Sequence, residues 1–187
     1  MAKERYHHGD LRRALLVAAA EAIAESGPAA LSLRDLARRA GVSHAAPAHH
    51  FGDKLGLLTA LATEGFTQLA QALAETRATT DSFLELGVTY VRYATTHPAH
   101  FEVMWRPDLY HADDPALIAA RERAGDALYS GVADLRGDGA TVREAGLAAW
   151  SLAHGFATLW LSGALPRNDE APDEAARAVL RRLGGRT

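Results

Sequence analysis

The sequence predicts an all-α protein of about nine helices, and three observations support this fold class. Of its 187 residues, 40 are alanine, which has the highest intrinsic helix propensity. Apolar residues recur at helical spacing along most of the chain, whereas no window of useful length alternates with a period of two. Breaker and capping residues separate the apolar segments, and they predict where each helix begins and ends.

The first two predicted helices precede a glycine turn. An apolar stripe over residues 11–23 predicts the first helix, which the breakers Ser26-Gly27-Pro28 end. Ser32 and Asp35 have the spacing of a capping box, in which the serine hydroxyl accepts the Asp35 amide and the carboxylate reaches back. The short helix that they start ends at Gly41, because glycine takes the left-handed conformation that closes a helix.

Two capping residues define the next two helices. Ser43 is predicted to cap a third short helix that ends near Phe51-Gly52, and Asp53 a fourth, much longer one over residues 54–77. The remaining helices follow from periodicity and from Gly and Pro breakers: 81–96, 99–106, 115–135, 141–162 and 172–183. A turn is predicted at Gly137-Asp138-Gly139, before the helix over 141–162.

Charge divides the chain into two predicted domains, over residues 1–54 and 55–187. The first carries eight Lys or Arg and six Asp or Glu, whereas the second carries 12 and 17. The net charge of −3 therefore combines a basic end with an acidic body. Such an arrangement is typical of a small nucleic-acid-reading domain attached to a larger module. A chance fluctuation of a few charges also explains the imbalance, so charge alone does not decide.

The composition argues against several functional classes. The chain has no cysteine, which excludes disulfides, thiolate zinc sites, iron–sulfur clusters and cysteine nucleophiles. No His-x-x-x-His spacing and no nucleophile-elbow serine occurs, so we expect no metal site, no catalytic residue and no cofactor. No apolar run approaches ~18 residues and the start is polar, so we expect neither a membrane span nor a signal peptide, and a cytoplasmic location.

The second and third helices form a helix-turn-helix motif. The turn Ala40-Gly41-Val42 joins them, with Ala37 small where they cross and Val42 apolar beneath the second. Such a unit can place the N-terminal residues of its second helix in the major groove of DNA. The same pattern occurs in helical hairpins that bind no DNA, so the motif alone leaves both interpretations open.

The stretch LSLRDLARRAGVSHAAPAHHFGDKLGLL, residues 31–58, resembles the DNA-binding domain of the TetR family of transcriptional regulators. With the helix before it, the match extends over about residues 8–60, and its key positions are Ser32, Leu36-Ala37, Gly41-Val42-Ser43, His50-Phe51, Lys54 and Leu57-Leu58. The resemblance implies a homodimeric, ligand-responsive regulator, most commonly a repressor, that binds a palindromic operator in double-stranded DNA. One position departs from the family pattern, because Ala48 stands where a tyrosine commonly contacts phosphate.

The resemblance also implies roles for individual residues. Ser43, His44 and Ala45, at the start of the recognition helix, are candidate DNA contacts. His44 and Ala45 would face base edges, the imidazole through hydrogen bonds and the methyl group through contact with thymine. Phosphate contacts would come from Ser32, Arg34, His49 and Lys54. Three further arginines are either phosphate contacts or ordinary solvated charges: Arg12, Arg38 and Arg39.

The C-terminal part carries a weaker motif. Residues 150–155 resemble the W-x-x-x-H-G pattern of the C-terminal domain in one branch of the family. Trp150 and His154 share one helix face, and both are interpreted as ligand contacts, with a plain interhelical hydrogen bond as the alternative for His154. Further aromatic residues predict a mainly hydrophobic or aromatic small-molecule effector, although each also suits the core: Phe66, Tyr90, Tyr93 and Trp105.

The last two helices complete the predicted ligand-binding and dimerisation domain over residues 55–187. Helices 141–162 and 172–183 carry more apolar surface than one chain needs to cover, which fits a four-helix dimer interface about a two-fold axis. The predicted function is therefore a ligand-responsive DNA-binding regulator. The alternative is a helical small-molecule carrier or adaptor of the same fold without DNA binding, and Ala48 is the one feature that favours it.

Overall fold

The computed structural model describes residues 8–80, 82–130, 139–166 and 170–184. These residues form nine α-helices and one 3₁₀ turn at Pro107–Leu109, with no strand among them, which confirms the predicted fold class. The helices are α1 (His8–Ala30), α2 (Leu33–Arg39), α3 (Ala46–Phe51), α4 (Lys54–Thr79), α5 (Phe83–Thr96), α6 (Pro98–Met104), α7 (Pro115–Ser130), α8 (Gly139–Leu161) and α9 (Pro172–Gly184).

Two compact units divide the chain, and α4 contributes to both. The first unit contains the described residues up to Gly65 together with Ala99–Ile118, and so holds α1, α2, α3, the first half of α4 and most of α6. The second contains Phe66–Pro98 and the described residues from Ala119 onward, and so holds α5, most of α7, α8 and α9. The predicted boundary after Lys54 lies at the first residue of α4 and stays a prediction.

Aliphatic side chains from α1, α2 and α4 form the core of the first unit. Six of them are less than 2% exposed: Leu15, Ile23, Leu36, Leu57, Leu58 and Leu61. Burial of each such side chain contributes about 1.5–3 kcal/mol to folding. α1 is interrupted at Gly27, whose φ of 74° and ψ of 164° are open to glycine alone. The break therefore falls within the predicted breaker Ser26-Gly27-Pro28.

Helix α5 is central to the second unit, where it packs against α8 and α9. Gly87 permits the close approach of α9, because a Cβ there would lie 2.9 Å from Cδ1 of Leu180. Arg177 of α9 donates two hydrogen bonds of 2.9 Å to the Glu85 carboxylate, and this pair holds the pKa of Glu85 below its usual value. Ion pairing and packing thus fix α9 along α5.

The structure corrects the predicted start of the third helix. α3 begins at Ala46 with Ala45 at the N-cap, so Ser43 is not the capping residue. The reason is Pro47, which lies in the first two positions of the helix, where its fixed φ is favourable and its missing N–H costs no hydrogen bond. Ser43 belongs to the preceding turn, and its carbonyl accepts the Ala46 amide at 3.0 Å.

The predicted capping box at the start of α2 is not formed, so this prediction is also wrong. Ser32 is the N-cap residue, but its side chain makes no capping hydrogen bond. The Asp35 carboxylate is instead engaged by Arg38 at 2.6 Å and by Arg39 at 2.9 Å, because charged donors three and four residues along the helix are within its reach. Asp53 does cap α4 as predicted, since its Oδ1 accepts the Gly56 amide at 2.8 Å.

The later helices follow the prediction with small shifts. α8 begins at Gly139 rather than at residue 141, so Gly139 is helical and not part of a turn. The end of the predicted helix over 115–135 and the turn residues 137 and 138 lie outside the described residues. No helix in the described part of the chain is long and apolar enough to cross a membrane.

Candidate nucleic-acid interface and ligand site

The turn between α2 and α3 has the geometry that a helix-turn-helix requires. Ala37 is fully buried, which lets the two helices cross closely, and its carbonyl accepts the Val42 amide at 3.0 Å. Gly41 has a φ of 65°, the left-handed conformation that the sharp turn demands. Ala37 and Gly41 therefore perform the expected structural tasks, whereas the Val42 side chain is only half-buried.

The residues around the start of α3 point to solvent. Ser43, His44 and Ala45 are exposed in the turn, and Ala48 and His49 are exposed on the helix. Pro47 is buried beneath them, so the face that α3 presents outward is made of small residues and imidazoles. Exposed side chains at the N-terminal end of such a helix are the ones that can reach base edges in a major groove.

A shallow cavity brings the predicted contacts of α2 and the turn together. Its volume is about 550 Å³, and its lining is mostly polar or cationic: Ser32, Arg34, Asp35, Arg38 and His44. The Arg38 side chain is 72% exposed although it is paired with Asp35, so its guanidinium remains open to a second anionic partner. Arg38 is thus a further candidate phosphate contact beside Ser32, Arg34 and His44. The sequence alone did not indicate that it lies next to them.

Lys54 and His49 occupy separate positions in the same unit. Lys54 begins α4, and its Nζ donates a 2.8 Å hydrogen bond to the Ala29 carbonyl near the end of α1. An ammonium has three donors, so this bond leaves donors for a phosphate. The His49 ring meets that of His50 edge-on at 5.5 Å.

Two of the remaining arginines have structural partners. Arg39 bridges Glu25 of α1, at 2.7 Å, and Asp35 of α2, at 2.9 Å, and it thereby lowers the pKa of Glu25. Arg12 of α1 lies over the Phe51 ring of α3, 5.2 Å from its centroid, a cation–π arrangement. These contacts attach α1 to the two helices of the motif.

Three of the six predicted ligand contacts meet in the second unit. The Tyr90 hydroxyl lies 2.9 Å from Nδ1 of His154, and Nε1 of Trp150 donates to the same hydroxyl at 3.3 Å. Burial raises the pKa of Tyr90 and lowers that of His154, so both groups are neutral near pH 7. Because the hydroxyl accepts from Trp150, its own proton is available for the ring nitrogen of His154.

The other three predicted ligand contacts lie elsewhere. Phe66 is 1% exposed in the core, and Trp105 belongs to the first unit, where its ring meets Phe101 edge-on at 6.4 Å. Tyr93 donates a 3.3 Å hydrogen bond to Gln68 and stacks on His97 at 4.7 Å. It also lines a cavity of about 410 Å³ between α4 and α5, together with Thr76, Thr89, Arg92 and His97.

Replacing Tyr90 with phenylalanine is expected to lower the free energy of unfolding by about 1–3 kcal/mol, because Trp150 and His154 lose the hydroxyl that they share. Urea unfolding followed by circular dichroism measures the change. Tyr129→Phe on α7 is the matched control, since that side chain is 38% exposed, and it should change stability by less than about 0.5 kcal/mol. Equal effects of the two substitutions would show that the buried hydroxyl is not a structural partner.

In the described part of the chain, no group of three or more His, Asp or Glu side chains could hold a metal ion. The positions that the structure does bring together are a polar, exposed helix-turn-helix face in one unit and, in the other, a cluster of the buried Tyr90 with the half-buried Trp150 and His154.

Two family models match the chain. One describes bacterial regulatory proteins of the tetR family and matches residues 15–61, and the other describes a tetracyclin repressor-like C-terminal domain and matches residues 83–183. The second alone covers more than half of the chain. No significant match was found among curated proteins.

Solved structures share the fold over nearly the whole chain. A protein of unknown function from Rhodococcus sp. RHA1 is 34% identical, with 97% of both chains covered and a TM-score of 0.79. The TetR family transcriptional regulator PfmR from Thermus thermophilus is 24% identical, covering 90% of this chain and 96% of its own, with a TM-score of 0.71. The multidrug binding protein EbrR in complex with imidazole is 24% identical, covering 98% and 97%, with a TM-score of 0.57.

The helix-turn-helix in the first unit and the α5–α8–α9 packing in the second fall within the two matched regions. Members of this family are generally ligand-responsive, dimeric DNA-binding proteins. The chain belongs to the TetR family of transcriptional regulators.

Proposed function

We propose that the protein is a transcriptional repressor that binds a palindromic operator as a homodimer and leaves it when a small-molecule effector binds. The observation that carries this proposal is the exposed surface of α2 and the following turn, where one cavity is lined by Ser32, Arg34, Asp35, Arg38 and His44. Guanidinium and hydroxyl groups in this arrangement suit a DNA phosphate beside the major groove. The cytoplasm, where DNA is accessible, is the proposed location, with no catalytic residue and no cofactor.

His44 and Ala45 are the proposed base contacts. Both are exposed in the turn immediately before α3, which is the part of a helix-turn-helix that enters the groove first. The imidazole can hydrogen bond to a base edge, whereas the alanine methyl can contact only an apolar group such as the thymine methyl. Ser32, Arg34, Ser43, His49 and Lys54 are proposed to hold the protein on the phosphate backbone.

The proposed dimer interface lies on α8 and α9. Leu147 and Leu159 of α8 are 50% and 46% exposed, and Val179 of α9 is 42% exposed. Large aliphatic side chains on neighbouring helices form an apolar surface that a second copy can cover. A two-fold axis through this surface would present two recognition helices to the two halves of a palindrome.

The proposed effector is small and mainly hydrophobic or aromatic, and the neutral Tyr90–Trp150–His154 cluster would supply the few polar contacts that orient it. Trp150, His154 and Gly155 also support assignment to the branch with the W-x-x-x-H-G motif. EbrR, which shares the fold, is a multidrug binding protein. Because α4 contributes to both units, its displacement by an effector would change the spacing of the recognition helices.

A gel-shift experiment with the DNA upstream of the protein's own coding sequence tests the proposal. We expect retention in low salt and progressive loss as salt is raised, because phosphate contacts release counterions. One observation favours an adaptor without DNA binding, namely the exposed Ala48 in place of the family's tyrosine. If no DNA of any sequence were retained even in low salt, the adaptor would replace the repressor.

Lys54→Ala is expected to change the overall affinity for DNA, whereas His44→Ala is expected to change the discrimination between sequences. Loss of a phosphate contact should weaken binding to all duplexes alike and reduce the slope of log affinity against log salt by about 1. Loss of His44 should reduce discrimination between operator and scrambled duplex by about 1–3 kcal/mol. Lys54→Arg serves as a control, because it keeps the charge and a donor for the Ala29 carbonyl. Equal losses on both duplexes for both alanine variants would contradict the assigned roles.

A further inference from the structure

The segment that forms the turn and α3 contains no permanently charged cation. Residues 42–52, VSHAAPAHHFG, include no Arg, Lys, Asn or Gln, the side chains that pair bidentately with guanine or adenine. Its polar side chains are Ser43 and three histidines, of which His44 and His49 are exposed and His50 is half-buried. Apart from small apolar contacts, the side chains of this segment can therefore contact DNA mainly through their imidazole rings.

Imidazole is the side chain whose charge ordinarily changes between pH 5 and 8. The neutral ring offers one donor and one acceptor, whereas the protonated ring offers two donors and a positive charge. A DNA phosphate near an exposed imidazole favours the protonated form, because an opposite charge within ~4–6 Å stabilises it. Binding to DNA would then take up protons wherever the free protein holds these rings neutral.

We propose that DNA binding by this protein is proton-linked through His44 and His49, so that affinity rises as the pH falls from about 8 to about 6. This inference rests on the proposed DNA-binding function and adds a regulatory property to it. Protonated rings stabilise the complex, so this contribution is present at the lower pH and is lost as the pH rises.

The charged neighbours of the two rings are compatible with this linkage. His44 shares its cavity with Arg34, Arg38 and Asp35, and the Asp35 carboxylate is already paired with Arg38 and Arg39. The His49 ring contacts that of His50, which in turn contacts Phe51, and Arg12 lies over the Phe51 ring. In the cavity that His44 lines, Asp35 is the one carboxylate, and because it is paired, the DNA phosphates would be the decisive anions for this ring. Asp53, after α3, lines a cavity with His50 and Phe51.

Fluorescence anisotropy with a labelled mixed-sequence duplex long enough for two half-sites measures the linkage. We expect the wild-type protein to bind at least about tenfold more tightly at about pH 6 than at about pH 8, since a histidine whose pKa rises by about 1 on binding contributes about tenfold in affinity. The slope of log affinity against log salt should be steeper at the lower pH, by about 1 for each protonated ring on a phosphate.

Three variants assign the effect to the proposed residues. His49→Gln should reduce the pH dependence by weakening binding at about pH 6, whereas His49→Lys should reduce it by tightening binding at about pH 8, because lysine stays charged there. The double variant His44→Gln with His49→Gln should remove most of the dependence. His97→Gln, at the end of α5 in the second unit, is the control and should keep the wild-type profile.

The outcomes separate this inference from the function on which it rests. Wild-type binding that is equal at both pH values would overturn proton linkage while leaving the regulator intact, and so would a pH dependence unchanged in the double variant. Absence of binding to the duplex at either pH in low salt would overturn both. Circular dichroism at the two pH values verifies that the variants and the wild-type protein are folded when they are compared.

Discussion

Gly56→Ala is expected to abolish operator binding while leaving the second unit folded. Gly56 lies in the first turn of α4, and a Cβ there would overlap the backbone carbonyl oxygen of Phe51, the last residue of α3. The same carbonyl accepts the Asp53 amide at 3.0 Å, which fixes the tight connection between the two helices. Since backbone cannot rotate away as a side chain can, α3 or α4 must shift.

The shift matters because the proposed base contacts, His44 and Ala45, lie in the turn that leads directly into α3. Overpacking of this kind costs about 1–3 kcal/mol of stability, partly offset by the gain of up to about 1 kcal/mol when alanine replaces a helical glycine. The loss of DNA affinity should be much larger than the loss of stability, because base contacts depend on the placement of the whole helix. Anisotropy with operator DNA and thermal unfolding measure the two effects.

Gly125→Ala provides the matched control for this substitution. Gly125 lies within α7, and a Cβ there would meet no atom within 4 Å. It should raise stability by up to about 1 kcal/mol and leave DNA binding unchanged. Wild-type affinity in Gly56→Ala would mean that the α3–α4 connection does not position the reading helix.

Leu159→Glu is expected to convert the proposed dimer into monomers. The Leu159 side chain is 46% exposed on α8, on the surface that we propose a second copy covers. A carboxylate buried there without a partner would cost several kcal/mol per copy, and the two-fold axis doubles the cost. Sedimentation velocity should show a shift from a dimer near twice the chain mass of 20.0 kDa to a monomer.

Loss of the dimer should also weaken operator binding by about 10²–10⁴-fold, because the second half-site is no longer bound intramolecularly. Val17→Glu is the matched control, since Val17 is 52% exposed on α1 in the first unit. It should leave the protein dimeric. A Leu159→Glu protein that sediments as a dimer would place the interface elsewhere.

The sequence predicted the helices well because local signals define them. Gly27 interrupts α1 and Asp53 caps α4 where the breakers and caps indicated. The start of α3 was misplaced because two local signals compete there. Ser43 is a good capping residue, but Pro47 fits best in the first positions of a helix, and the proline prevailed.

The side-chain partners were less accessible from sequence. The contact of Asp35 with Arg38 and Arg39 follows from their spacing on one helix, but the bridge from Arg39 to Glu25 depends on how α1 crosses α2. The Tyr90–His154 contact joins residues 64 positions apart, so sequence spacing gave no signal for it. Trp105 and Phe66 were grouped with them by aromatic character alone, and the structure places Trp105 in the first unit.

A dimeric regulator with this helix-turn-helix should read a symmetric DNA sequence through α2, α3 and the turn between them. Selection from a random duplex library by the purified protein, at near-physiological salt, measures this. We expect enrichment of a sequence with two-fold symmetry, whose half-sites are spaced by about one helical turn or a multiple of it, and loss of that enrichment in His44→Ala. Recovery of no sequence above the non-specific background, or of one without symmetry, would contradict it.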